Sequence, residues 1–372
     1  MKLDNLIDKK LFRNIDIGII ISVFCLVSVG IVSIASATQV AHGGSFRNVK
    51  VQIIAFALGI LAAAIITLID YNNFGDVDRV IYVINIALLV LVLLVGSNRK
   101  GAQAWIDFGP LSFQPSEVVK IGFILTFAKH LERRKDNLDR FQDILPGLLH
   151  VGLIIGLILL QPDFGTALVF IFITAFMYFA AGINYKYILG AFGALILSIP
   201  ILWFGFFKEY QKNRILVFLN PEMDPLHGGY HVIQSKIAIG SGQFSGKGLF
   251  KGTQNNLGFI PERHTDFIFS VIGEEAGLVG CVVVILLFLW LILRCIKVAQ
   301  LAKDDYGMLI CVGVMAMFMF HIIENIGMTI GIMPVTGIPL PFISYGGSSL
   351  LTNLIAVSLV INVGMRRQVI RF

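Results

Sequence analysis

Charge is what this chain has least of: Asp, Glu, Lys and Arg together make 14% of its 372 residues, against about 25% in an average soluble domain. So little charge cannot clothe a soluble surface, which excludes a water-soluble multidomain enzyme and a disordered tail. Cysteine is also scarce. Cys25, Cys281, Cys295 and Cys311 show no C-x-x-C spacing, so a disulfide scaffold is excluded and the thiols read as inert core residues. In place of charge the chain carries 56% hydrophobic residues in long runs, the mark of an integral membrane protein embedded in a lipid bilayer. The net charge of +6 does not point to nucleic acid, because Lys and Arg of membrane proteins collect on cytoplasmic loops.

The apolar runs predict an all-α polytopic fold, since helices satisfy their own backbone in lipid. About ten transmembrane helices are expected near Ile17 to Ala37, Val51 to Ile69, Val80 to Gly96, Pro115 to Leu131, Gly147 to Leu160, Phe164 to Gly182, Tyr187 to Phe206, Phe267 to Leu293, Met308 to Met333 and Ile343 to Gly364. The first resembles a secretory signal, but its apolar run is too long and further spans follow it without interruption. Residues 1–372 read as a single transmembrane domain with one long loop, 207–266, between the seventh and eighth spans. Lys2, Lys9, Lys10, Arg13, Arg133, Arg134, Lys135, Arg140, Lys297, Lys303, Arg366, Arg367 and Arg371 fall on one side. That bias places both termini in the cytoplasm and the long loop outside. Long loops usually carry function, so the chemistry is expected on the outer face.

Each ionisable residue at membrane depth is therefore informative. The fourth span opens Gln114-Pro115-Ser116-Glu117 and reaches Lys120 one turn deeper, the i, i+3 spacing of an ion pair. The pair reads as structural glue, or as a cation held ready for an anionic head group. Trp105, just before this helix, reads as an aromatic belt anchor. The long loop ends Pro261-Glu262-Arg263-His264-Thr265-Asp266. Here Asp266 or Thr265 is a helix N-cap, or Asp266 beside His264 is a general base. Glu274 and Glu275 point roughly 100° apart on a helix, so one faces the interior and the other caps a loop. His321, Glu324 and Asn325 form a polar stripe, followed by Pro334, Pro339, Pro341 and Ile343-Ser344-Tyr345-Gly346-Gly347-Ser348-Ser349. Backbone broken in this way is tolerated where it lines a cavity, and a polar cavity open to the outside is expected. The stretch from Gly240 to Lys247 fails the P-loop pattern and reads as a turn-rich segment or a backbone nest for pyrophosphate.

The C-terminal run, Gly337-Ile338-Pro339-Leu340-Pro341-Phe342 with its Ser344-Tyr345-Gly346-Gly347 continuation, resembles the signature of the SEDS family (shape, elongation, division and sporulation). So do Gln114-Pro115-Ser116-Glu117, Gln161-Pro162-Asp163-Phe164-Gly165-Thr166-Ala167 and Pro261-Glu262-Arg263-His264-Thr265-Asp266-Phe267. The four motifs span nearly the whole chain, and Gly229-Tyr230-His231-Val232-Ile233-Gln234 is more similar to the elongation branch than to the division branch. The resemblance implies a peptidoglycan glycosyltransferase that polymerises lipid II outside the bacterial cytoplasmic membrane with a class B penicillin-binding protein as partner. It also implies that Asp266 is the essential loop carboxylate, with Glu117 and Lys120 lining the cavity, Trp105 a sensitive position, and His264 and Ser344 near substrate. Many members carry Arg before that Trp, whereas Ala104 stands here. The missing cation must then come from Lys120, Arg214 or Arg99.

On this reading Asp266 deprotonates the acceptor hydroxyl, and undecaprenyl pyrophosphate leaves in a single inverting displacement. Lys120, or a divalent ion such as Mg or Mn, would stabilise the leaving group, although no run of residues reads as a metal cage. The competing expectation is a lipid II flippase, which intramembrane polar residues and broken helices would serve equally well.

Overall fold

A computed structural model describes residues 13–39, 46–99, 102–108, 111–135, 138, 140–206, 209–224 and 228–367. Lys2, Lys9, Lys10, Lys100 and Arg371 lie outside the described residues. The fold is helical apart from one small sheet. Its helices are α1 (Ile17–Gln39), α2 (Arg47–Leu68), α3 (Tyr71–Asp76), α4 (Asp78–Val95), α5 (Pro115–Glu132), α6 (Phe141–Leu160), α7 (Phe164–Ala180), α8 (Tyr185–Ile201), α9 (Glu209–Leu219), α10 (Gly228–Ser241), α11 (Thr253–Asn256), α12 (Ile268–Gln300), α13 (Asp305–Ile330) and α14 (Gly347–Met365). Among the described residues, seven (α1, α2, α4, α6, α12, α13 and α14) are long and apolar enough to cross a membrane.

The bundle is built around α5 and α13. Almost every side chain of α5 is buried, including the polar Ser116, Glu117 and Lys120, as expected of a helix at the centre of a bundle. α2 and α4 lie outside it and expose Ile53, Ile54, Leu58 and Leu61, and Val83, Ile84, Leu91 and Leu94, a surface suited to lipid. Small residues let the backbones approach. A Cβ on Gly313 would lie 2.7 Å from Ile124 of α5, and Gly30 of α1 sits against the backbone of Phe342 and Ile343.

Several boundaries depart from expectation. α12 continues past Leu293 to Gln300 because Arg294, far from ending it, forks onto Asp16 at 2.9 and 2.5 Å. α6 runs through Pro146 from Phe141. α14 begins at Gly347 rather than Ile343, since the preceding segment is held in turns with Phe342 at φ 63°. A three-stranded antiparallel sheet, β1 (Ser97–Arg99), β2 (Ala102–Phe108) and β3 (Leu111–Phe113), was not expected at all. Its Gln103 side chain donates to Leu93 O and Gly96 O, and its Gln103 N–H to Gln161 O, fastening it to α4 and α6.

The long stretch from 207 to 267 contains α9, α10 and α11. Ser235 of α10 bonds Ser270 of α12 and Thr329 O of α13, both at 2.6 Å. The glycine-rich segment is not a free nest. Lys247 N and Gly248 N donate to the carbonyls of Glu274 and Glu275, each at 3.0 Å, while Leu278 N and Val279 N donate to Gln243 O and Phe244 O. This interlock is possible because α12 breaks its helical geometry at Gly277, φ 64° and ψ −161°, where a Cβ would strike the segment.

Candidate functional site

The four motifs singled out in the sequence converge through hydrogen bonds. Asp163 caps α7 through Thr166 N at 3.1 Å and also accepts from Gln114 at 3.3 Å, joining two of them. Gly165 of α7 lies against Thr336 and Ile338, in the segment between α13 and α14. That segment then grips the end of the long loop.

Three consecutive carbonyls of the loop are each held. His264 O accepts from Tyr345 N at 2.9 Å, Thr265 O from Ser344 Oγ at 2.6 Å, and Asp266 O from Asn325 Nδ2 at 2.9 Å. Ser344 Oγ in turn accepts from Leu340 N at 2.9 Å, and Asn325 also donates to Ile338 O at 2.8 Å. Gln52, fully buried on α2, completes the clamp with Nε2 on Ser344 O and Oε1 accepting from Gly346 N, both at 3.2 Å. Ser344 is thus a residue that positions the Asp266 backbone. Neither Thr265 nor Asp266 occupies the N-cap of α12: that position is Phe267, which has no side-chain cap. The half-buried Asp266 carboxylate faces Gly337, where even a Cβ would stand 3.4 Å from Oδ2.

The second charged group is tied to the same framework. Lys120 Nζ lies 2.7 Å from Glu117 Oε1 and 3.0 Å from His321 Nε2, and all three residues are buried. An ammonium has only donors, so His321 receives at Nε2 and carries its proton on Nδ1, which faces Pro339 O at 3.3 Å. His321 and Asn325 are one turn apart on α13, about 6 Å along its axis. One helix face therefore braces Lys120 and the Asp266 backbone together. Glu117 Oε2 has no partner among the described residues.

Other expected residues lie elsewhere. Trp105 is half-buried on β2 opposite Ser97, which bonds its carbonyl at 3.2 Å. Arg214 is exposed on α9. His264 packs its ring 5.5 Å from that of Tyr345. Ala104 is 1% exposed, so the sheet leaves no open position for a cation there. Glu324 accepts from Thr336 at 2.8 Å. Among the described residues no three His, Cys, Asp or Glu side chains cluster as a metal site.

Glu274 and Glu275, adjacent on α12, turn out to anchor the long loop. Glu274 accepts from Lys247 Nζ (2.8 Å), Thr253 Oγ1 (3.1 Å), Gln254 N (2.8 Å) and Asn255 N (3.0 Å). Glu275 accepts from Phe250 N and Asn255 Nδ2, each at 3.1 Å, and from Ser36 of α1. Sequence reasoning passed over Gln52, although a lone amide inside an apolar span was a signal; it noted His321 and Asn325 without assigning them partners.

Residues 15–369 match the sequence profile of the cell cycle protein family FtsW/RodA/SpoVE. The chain is 38% identical over 338 residues to the peptidoglycan glycosyltransferase MrdB of Escherichia coli K12, covering 89% of each chain. It is 36% identical over 374 residues to a probable peptidoglycan glycosyltransferase FtsW of Geobacter metallireducens, covering 98% of this chain and 99% of the other. Among solved structures it resembles a chain of a peptidoglycan synthase complex described as coordinating polymerization and crosslinking, with TM-score 0.83, 34% identity and coverage of 95% and 98%. It also resembles the rod shape determining protein RodA of Thermus thermophilus, with TM-score 0.71, 31% identity and coverage of 95% and 97%. With a profile match over nearly its whole length and relatives of this similarity, the chain belongs to the FtsW/RodA/SpoVE family, the SEDS proteins.

Proposed function

We propose that this chain is a peptidoglycan glycosyltransferase that polymerises lipid II into glycan strands for cell elongation and rod shape, with Asp266 as general base. The observation that carries the reading is the grip on residues 264 to 266, whose three carbonyls are each held by a different donor. Such preorganisation fixes a carboxylate to the tolerance that proton transfer requires. The carboxylate lies against Gly337, which has no side chain to cover it. The names of the relatives and the RodA likeness support the activity, and the solved synthase complex supports a class B penicillin-binding protein as partner.

In the proposed reaction, Asp266 takes the proton of the acceptor 4-hydroxyl as its oxygen attacks the donor's anomeric carbon and undecaprenyl pyrophosphate departs. An α-linked donor yields a β-linked glycan by one inverting displacement. Lys120, oriented by Glu117 and His321, stabilises charge at the leaving group. Both termini are cytoplasmic and the site opens outward, a topology supported by the charge bias.

Asp266→Asn keeps the shape and removes the base, so the variant should insert and pair normally while polymerisation of purified lipid II falls by about 10² to 10⁴. Near-normal polymer length and rate would sink the assignment. Polymer formed by wild type in detergent, where there is no second compartment, separates this activity from a flippase.

A further inference from the structure

A cavity of about 190 Å³ is lined by Ala37 and Thr38 at the end of α1, Asn48 at the start of α2, and Gly258, Ile260, Glu262, Arg263 and His264 of the long loop. At ~30 Å³ per water molecule it holds about six waters, room for one small polar group of a larger ligand. Arg263 is its unusual member. It is only 8% exposed, yet among the described residues it forms no ion pair and a single hydrogen bond, from Nη1 to Asn255 O. A guanidinium has five N–H donors, so most of its donors are unused in a site where an uncompensated charge is costly. Burial pushes it below the usual arginine value, although a guanidinium stays protonated in proteins.

The group is also held in place. Asn255 is fixed by Glu274 and Glu275 on α12, and Glu275 by Ser36 on α1, so the Arg263 anchor belongs to the network that closes the loop onto the bundle. Gly258, in the left-handed region at φ 76°, lies next to Arg263 Nη1, a Cβ there being 3.7 Å away. A planar guanidinium with donors left over, not ion-paired among the described residues although Glu262 shares the cavity wall, is complementary to an oxyanion.

The geometry points to Arg263 as the anion-binding residue of a substrate subsite in this cavity, next in the chain to His264 and three residues before Asp266. The ligand group is an oxyanion of the lipid-linked substrate, either its pyrophosphate or a carboxylate of its peptide. The inference rests on the proposed polymerase reading and names a contact within that same site.

The test uses the full-length chain, alone and with a class B penicillin-binding protein. Arg263→Gln should raise KM for lipid II about tenfold or more, the effect of losing a charge-assisted pair, with kcat within about threefold, and Arg263→Lys should recover part of it. Ala37→Leu fills the cavity from α1 without touching the Arg263 anchor and should raise KM as well, which keeps the test alive if Arg263→Gln unfolds. Undecaprenyl pyrophosphate as inhibitor, and lipid II with amidated peptide carboxylates as substrate, distinguish the sources. If Arg263→Gln weakens inhibition by the former, the anion is the pyrophosphate; if amidation raises the wild-type KM and leaves that of Arg263→Gln unchanged, it is the carboxylate. An unchanged KM in folded Arg263→Gln and Ala37→Leu overturns the subsite. Should wild type make no polymer, the polymerase reading falls first; equal binding of undecaprenyl pyrophosphate and of lipid II to wild type and Arg263→Gln then overturns the subsite separately.

Discussion

The Lys120–Glu117 pair allows glue and chemistry to be told apart. Both residues are buried, at 1% and 3% exposure, and Glu117 Oε2 is unsatisfied among the described residues. A buried pair that leaves an oxygen without a donor is a poor stabiliser, because desolvation offsets most of its Coulombic gain. Lys120→Met removes the cation paired with Glu117, leaves a carboxylate buried without compensation, and should cost about 3–5 kcal/mol. Adding Glu117→Gln removes that charge while keeping its shape, so the double variant should recover most of the stability, since replacing a buried pair by neutral groups is often neutral or stabilising. Thermal unfolding in detergent reads that recovery, and polymerisation of lipid II is assayed on the same samples. If Lys120 stabilises leaving-group charge, the double variant stays inactive though it is stable again. Recovery of polymerisation together with stability would show the pair to be structural and refute its catalytic assignment.

Glu274→Ala removes the acceptor of four hydrogen bonds, and charged hydrogen bonds are worth about 1.5–3 kcal/mol each without being additive. Amide exchange across residues 247–256 should accelerate at least tenfold while α13 keeps its protection; an unchanged rate refutes the anchor. Asn325→Leu strips the donor from Asp266 O and Ile338 O, so kcat should fall about tenfold with KM nearly unchanged. A rise in KM alone would mean that Asn325 serves binding and not the position of Asp266.

The helical bundle was legible because hydrophobic runs of membrane length leave few other solutions. The misread ends have specific causes. Arg294 looked like a terminus, yet its charge is neutralised by Asp16, 278 residues away in the chain, which no local window detects. The small sheet was missed because its strands are three to seven residues long and are fixed by Gln103 reaching α4 and α6. Gly240 to Lys247 read as a turn-rich segment or a backbone nest for pyrophosphate; the amides of Lys247 and Gly248 are taken by α12 carbonyls only because Gly277 breaks that helix, a backbone event that composition does not announce. At the site, the scarcity of charge picked out Glu117, Lys120 and Asp266, but their partners His321, Asn325, Gln52 and Gly337 come from other helices and loops.

The same distinction between identity and pairing bears on the missing cation. The family resemblance implies an Arg before the Trp, and Ala104 here sits in a closed position on β2. Counting charges nominated Lys120, Arg214 and Arg99 as substitutes. Pairing reorders them: Lys120 is already neutralised by Glu117, so it directs a field without adding net charge, and Arg214 stands exposed in solvent, where screening weakens any attraction beyond about 10 Å. Arg263 differs from both, being buried and, among the described residues, without a carboxylate partner. A charge in that condition acts on a bound anion through a low dielectric, where Coulomb attraction is strongest. What decides the role of a cation at such a site is therefore how much of its charge its neighbours have left uncancelled, and by that measure Arg263 stands ahead of Lys120 and Arg214.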